Sequence, residues 1–231
     1  MTRRVTCAAA LMVTALTSGL FAQGATQERP PVFLSESWRS LASPPDDHGA
    51  WPASQQGVAS PNLQLTLHGT SGKDIQLVNV RGSADLYPLN LWTGTTTSPS
   101  AATLRDRNRF VDLTSPFAKI RWTVRTSGFH QVRPVVKLAD GTWLVGDRTD
   151  GATRDWLVTE FNVADVHWLK LDIDRIVTTG NIVERPDLSK VDEIGFVDLI
   201  PGSGHGAGGW SDVAQVDVFA AAIPRTGSST H

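Results

Sequence analysis

The chain predicts an all-β fold, an antiparallel two-sheet β-sandwich or jelly roll, on three observations. Short apolar runs alternate with polar residues at a period of two, and turn residues recur between them. No long stretch carries the 3.6-residue period of an amphipathic helix. At 40% hydrophobic, the 231 residues hold enough apolar surface for a core, which excludes wholesale disorder.

The N-terminus comes first. Arg3 and Arg4 precede an uncharged, mostly apolar stretch from Val5 to Phe21, followed by small residues at Ala22, Gly24 and Ala25. That layout predicts a signal peptide over 1–25, cleaved within 22–25. Thr14, Thr17, Ser18 and Gly19 dilute the stretch below what a spanning helix needs, and no later run is long enough to span. The only cysteine, Cys7, lies inside the leader, so the mature chain has no disulfide or thiolate chemistry. A cysteine-free exported protein fits a bacterial periplasm or cell exterior.

Residues 26–62, with Pro30-Pro31 and Pro44-Pro45, predict an irregular lead-in with one early strand near 32–34. A β-sandwich domain is expected over 63–220 and a flexible tail over 221–231. Leu63, Leu65 and Leu67 alternate with polar residues, and strands at 75–80 and 86–92 follow. The clearest alternation is at 119–125. Ile120, Trp122 and Val124 share one face, while Lys119, Arg121, Thr123 and Arg125 make a basic opposite face. Asp140-Gly141 supplies the positive-φ residues of a hairpin joining 135–138 to 143–145. Further strands are expected at 156–161, 168–173, 194–199 and 213–219, with one helical turn at 162–166.

Twenty-one basic against 23 acidic residues argue against a nucleic-acid or polybasic membrane partner. GSGHGAGG at 202–209 lies between strands and lacks a following helix or Lys-Ser/Thr pair, so it is not a phosphate-binding loop. His205 within it is a candidate ligand contact, since loops carry function disproportionately. His48, His68, His130, His167, His205 and His231 are scattered without zinc spacing. Asp147, Asp150 and Asp155 crowd 147–155 without EF-hand spacing and predict a polar turn.

No catalytic set emerges. Asp192 and Glu193 are adjacent and would point to opposite faces of a strand, and no GxSxG occurs. The eight tryptophans, against one tyrosine, are the strongest compositional signal. Most belong in the core, Trp122 above all. Trp92, Trp143 and Trp210 sit at strand ends or beside loops, where an indole can present a flat apolar face to a sugar ring.

FVDLTSPFAKIRWTVRTSG at 110–128, the W-x-x-x-x-F strand at 156–161, PDLSKVDEIGFVDL at 186–199 and VAQVDVFA at 213–220 carry a resemblance. Over about residues 63–220 the chain resembles secreted bacterial galactose-binding-like jelly rolls, which include carbohydrate-binding modules. The resemblance implies two antiparallel sheets, often a structural calcium, and sugar contacts from loops or a concave sheet face. No calcium ligand of that family is matched here, and no other cofactor is expected. The basic outer face of 119–125, with His130, Arg133 and Lys137, is a candidate lining for such a face.

The expected function is an exported, non-catalytic carbohydrate-binding protein with a polysaccharide or glycan partner. Its expected contacts are Trp92, His130, Arg133, Trp143, His205 and Trp210. The alternatives are a structural or interaction domain for another envelope protein, and a jelly-roll glycan-cleaving enzyme.

Overall fold

The structure, a computed structural model, describes residues 29–42, 49–79, 87, 89–153, 155–200 and 209–225. Its strands begin with β1 (Val32–Glu36), β2 (Ala50–Pro52), β3 (Leu63–His68), β4 (Gln76–Asn79), β5 (Leu89–Trp92) and β6 (Ser100–Asp106). Next come β7 (Arg109–Asp112), β8 (Lys119–Gly128), β9 (Val132–Leu138), β10 (Trp143–Gly146) and β11 (Leu157–Asn162). The last are β12 (Trp168–Asp172), β13 (Val177–Val183), β14 (Val191–Asp198), β15 (Gly209–Phe219) and β16 (Ala221–Pro224). The helical turn expected at 162–166 is a 3₁₀ turn at Val163–Asp165.

All pairings between these strands are antiparallel. The first sheet runs β11-β8-β15-β5-β4-β2, with β1 against the C-terminal half of β15. The second runs β13-β12-β10-β9-β14-β6-β3, with β7 beside β14 and β16 beside β7. Their facing sides share one core. Trp122, Val124, Val213 and Val216 of the first sheet pack in the same cluster as Leu104, Val136, Leu144 and Ile194 of the second. The two-sheet sandwich predicted from the alternation is the fold. Trp122 is fully buried and donates its indole N–H to Asp150 Oδ2 at 2.6 Å, so the largest core side chain leaves no orphaned donor.

Two boundaries change. In the lead-in expected over 26–62, the early strand expected near 32–34 is β1, and β2 and a 3₁₀ turn at Gln55–Gly57 add to it. It is pinned by Glu36, whose buried carboxylate accepts the backbone N–H groups of Trp38, Ala59 and Ser60. The tail expected at 221–231 is instead strand over Ala221–Pro224, paired with β7. The pattern missed it because its residues are largely exposed and no alternation marks it.

Strands β6, β7 and β13 were also not anticipated. β6, SAATLRD, is built from small and polar residues of weak strand preference, yet it is buried between β14 and β3. Gly195 of β14 lies against its backbone; a Cβ there would lie 2.0 Å from the Ala102 carbonyl oxygen.

The second sheet curls toward its outer face. His68 on β3 and Trp143 on β10 stand four strand spacings apart, about 19 Å on a flat sheet. Their rings nevertheless lie 4.9 Å apart, centroid to centroid. The resulting furrow holds a second apolar cluster of Ala101, Val135, Val145, Leu171, Ile176 and Val197. Ile176, in the β12–β13 turn, reaches across to Gly69 at the end of β3. Among the described residues no helix is long and apolar enough to cross a membrane. The expected signal peptide, His48, His205 and His231 lie outside the described residues.

Candidate functional site

Strand alternation decides which side chains leave the core. On β8, Ile120, Trp122 and Val124 point inward, so Arg121, Thr123 and Arg125 point outward. On β15, Asp212 is paired with Arg125 and Trp210 with Ser127. Trp92 of β5 is the other neighbour of Asp212. Trp156 immediately precedes Leu157, which pairs with Val124, and this brings Trp156 beside Arg125. One row across β8, β15, β5 and the residue before β11 therefore reads Trp156, Arg125, Asp212, Trp92.

The guanidinium of Arg125 is the centre of this row. It lies 4.6 Å from the Trp156 ring and 5.3 Å from the Trp210 ring. It also donates from Nε at 3.1 Å and Nη2 at 2.9 Å to Asp212 Oδ2. A cation fixed between two indoles and a carboxylate gives both rings a set orientation. Tyr87 packs edge-on against Trp156, with centroids 5.4 Å apart. The Trp92 indole lies over Gly94, where a Cβ would come within 2.0 Å of the ring, so the bare backbone supports one indole face. Trp92, Trp156, Trp210 and Tyr87 are all half-buried.

The opposite half of this outer face is closed. Phe219 is sandwiched between Arg29, 3.8 Å from its centroid, and Arg121, 5.1 Å away, and Arg121 is paired with Asp217 at 2.8 Å. At the β11 edge, a polar cavity of about 260 Å³ is lined by Lys119, Arg148, Glu160 and Asp165 among others. Lys119–Glu160 and Asn162–Asp165 bonds cross it.

No protein-family model matches this chain, and no curated protein matches it. Solved structures are similar to it, three of them as follows. One is the family 11 carbohydrate-binding module from Clostridium thermocellum in complex with a β-1,3-1,4-mixed-linked tetrasaccharide. It is 14% identical with a TM-score of 0.40, over 81% of this chain and 97% of that one. Another is the family 11 module of the cellulosomal cellulase Lic26A-Cel5E of the same organism, 12% identical, TM-score 0.39, over 75% and 87% of the two chains. The third is the Emp47p carbohydrate recognition domain, 11% identical, TM-score 0.36, over 76% and 96%. What establishes the sandwich is the strand pairing itself.

The sequence-predicted contacts do not form one site. Trp92 and Trp210 both lie on the outer face of the first sheet. Trp143 and Arg133 lie on the outer face of the second, on the far side of the core. Arg133 is half-buried and donates from Nε to the Gly146 carbonyl at 2.9 Å. Burial holds its guanidinium below the ordinary arginine value, with Asp147 acting in the other direction.

His130 is a correction. It is only 1% exposed, and its Nδ1 lies 2.6 Å from Asp198 Oδ2, which also accepts the Ser211 hydroxyl at 2.6 Å. The imidazole ties the β8–β9 turn to β14 inside the protein and has no surface to offer a ligand.

Trp156, Arg125, Asp212 and Tyr87 were not among the predicted contacts. Arg125 was legible as part of a basic outer face, and Trp156 as a strand start. What joins them is cross-strand register, which only the folded sheet supplies. Among the described residues no three His, Cys, Asp or Glu side chains gather in a group that could hold a metal ion.

Proposed function

We propose that the chain is an exported carbohydrate-binding protein that takes its glycan on the outer face of the first sheet, at Trp92, Trp156 and Trp210. The observation that carries this reading is the half-buried aromatic row organised around the Arg125–Asp212 pair. Sugar rings have apolar C–H faces that pack on indoles, and hydroxyls that bond to planar charged groups at their rim. Pre-setting the indoles with a guanidinium lowers the ordering cost of binding.

A non-catalytic role fits the same geometry. The carboxylates Asp212, Asp217 and Glu160 on this face are each paired with a basic side chain, Arg125, Arg121 and Lys119 respectively. The interaction-domain alternative gains less support. Among the described residues the large exposed apolar side chains are spread over β1 (Val32), the β8–β9 turn (Phe129), β11 (Leu157, Val158), β13 (Val177, Ile182) and the segment after β14 (Ile200).

Affinity electrophoresis through gels containing mixed-linked β-glucan, xylan or agarose tests the proposal. Retardation by at least one polymer is expected, weakened about tenfold or more by Trp156→Ala or Trp92→Ala, the scale of one lost contact of about 1.4 kcal/mol. Unchanged retardation in both variants would remove the site from this face.

A further inference from the structure

The furrow of the second sheet contains an arrangement that the first-sheet reading does not use. Five side chains from five strands converge there: His68 of β3, Thr103 of β6, Lys137 of β9, Trp143 of β10 and Glu193 of β14. Glu193 is 6% exposed, an expensive place for a carboxylate. It is compensated by the Thr103 hydroxyl at 2.6 Å and the Lys137 ammonium at 2.9 Å.

These bonds fix the histidine. Thr103 spends its proton on Glu193, so the 2.9 Å contact between Thr103 Oγ1 and His68 Nε2 needs the proton on Nε2. Nδ1 then carries a lone pair, and no described residue bonds to it. Burial pushes the imidazole below its usual value near 6.5, and Lys137 adds to this, against opposing pulls from Glu193 and Asp174. The neutral tautomer is therefore the resting form at neutral pH.

Around that acceptor stand a donor and an apolar wall. The Lys137 ammonium has three protons; it faces Glu193, and Asp192 at 3.7 Å, and is partly open to solvent. The Trp143 indole is half-buried, edge-on to His68, with the Lys137 ammonium 5.4 Å from its centroid. A ligand here must donate to Nδ1 and accept from Nζ beside an aromatic ring. A hydroxyl does both, whereas a carboxylate offers His68 a second lone pair and gains nothing from it.

We infer that His68, Lys137 and Trp143 form a second saccharide site for neutral, hydroxyl-bearing rings, on the opposite side of the core from the first. A single copy then holds two glycan segments at once. The assignment stands on its own residues and does not require the first-sheet site.

The test starts from a Trp92→Ala/Trp156→Ala protein, in which the first face is disabled, run in the same mixed-linked β-glucan, xylan and agarose gels. Residual retardation is expected, and adding Trp143→Ala should abolish it, with thermal unfolding recorded to show that the variant folds. His68→Gln reaches the Nε2 position and can keep the Thr103 bond while losing the acceptor, so it should weaken binding about tenfold. His68→Asn places an amide oxygen where Nδ1 stood and should retain more of it.

Complete loss of retardation in the Trp92/Trp156 variant overturns the second site and leaves the first standing. Loss on Trp143→Ala alone, with the Trp92/Trp156 variant unaffected, overturns the first and leaves the second. A wild-type protein that no gel retards overturns both, and equal binding by His68→Gln and wild type overturns the role given to Nδ1.

Discussion

At the scale of single residues, a buried and a half-buried polar group make opposite demands on the fold. Glu36 is fully buried and holds three backbone N–H groups of the N-terminal segment. Glu36→Ala leaves those donors unpaired and is expected to cost about 2–4 kcal/mol in urea unfolding, and Glu36→Gln less. A loss below about 1 kcal/mol for the alanine variant would refute that account. His68 acts through its proton instead. Its folded pKa is lowered, so the unfolded chain protonates first as pH falls. The stability linked to this group is complete above about pH 6.5 and declines below it as the folded value is approached. Between pH 7 and 5.5 the wild type should lose more melting temperature than His68→Gln. Parallel losses in the two would show that His68 does not set this dependence.

At the scale of the element, close backbone approach decides where glycine is needed. Gly195 sits mid-strand in β14, where a Cβ would collide with the β6 backbone at Ala102 and Thr103. Neither atom is the end of a flexible side chain, so the strands themselves must part. Gly195→Ala should therefore destabilise by about 3 kcal/mol. Gly151, whose nearest neighbour to a new Cβ is Gln131 Cγ at 3.8 Å, is the matched control and should tolerate alanine within about 0.5 kcal/mol. Similar losses at both positions in chemical denaturation would contradict the packing explanation.

At the scale of the whole molecule, the C-terminal strand is fastened by one side chain. Arg225 pairs with the Asp192 carboxylate, donates to the Asp106 carbonyl at 3.1 Å, and stacks over Phe110 at 3.9 Å. Burial works to raise the Asp192 carboxyl, but hydrogen bonds from Arg105 and Arg225 outweigh it and leave it below the ordinary 3.8. A depressed carboxyl contributes stability above its unfolded value and loses it as pH falls through the folded one. Arg225→Met should cost about 1–3 kcal/mol at pH 7, and the penalty should shrink as pH falls below the ordinary carboxyl value of 3.8 toward the lowered folded one. A penalty that stays constant across this range would assign the effect to packing on Phe110 alone.

The sequence by itself determined the fold class, because period-two alternation at 63–67 and 119–125 and the Asp140-Gly141 turn are local consequences of strand geometry. It also marked Trp92, Trp143 and Trp210 as tryptophans at strand ends. Only the tertiary structure decided which of them share a surface, because face and neighbour follow from pairing between residues far apart in the chain. Register placed Trp156 and Arg125 beside Trp210, and the core separated Trp143 from both. Curvature did the rest. A sheet bent until His68 meets Trp143 across three intervening strands depends on the packing of the whole second sheet, and no local residue pattern encodes it.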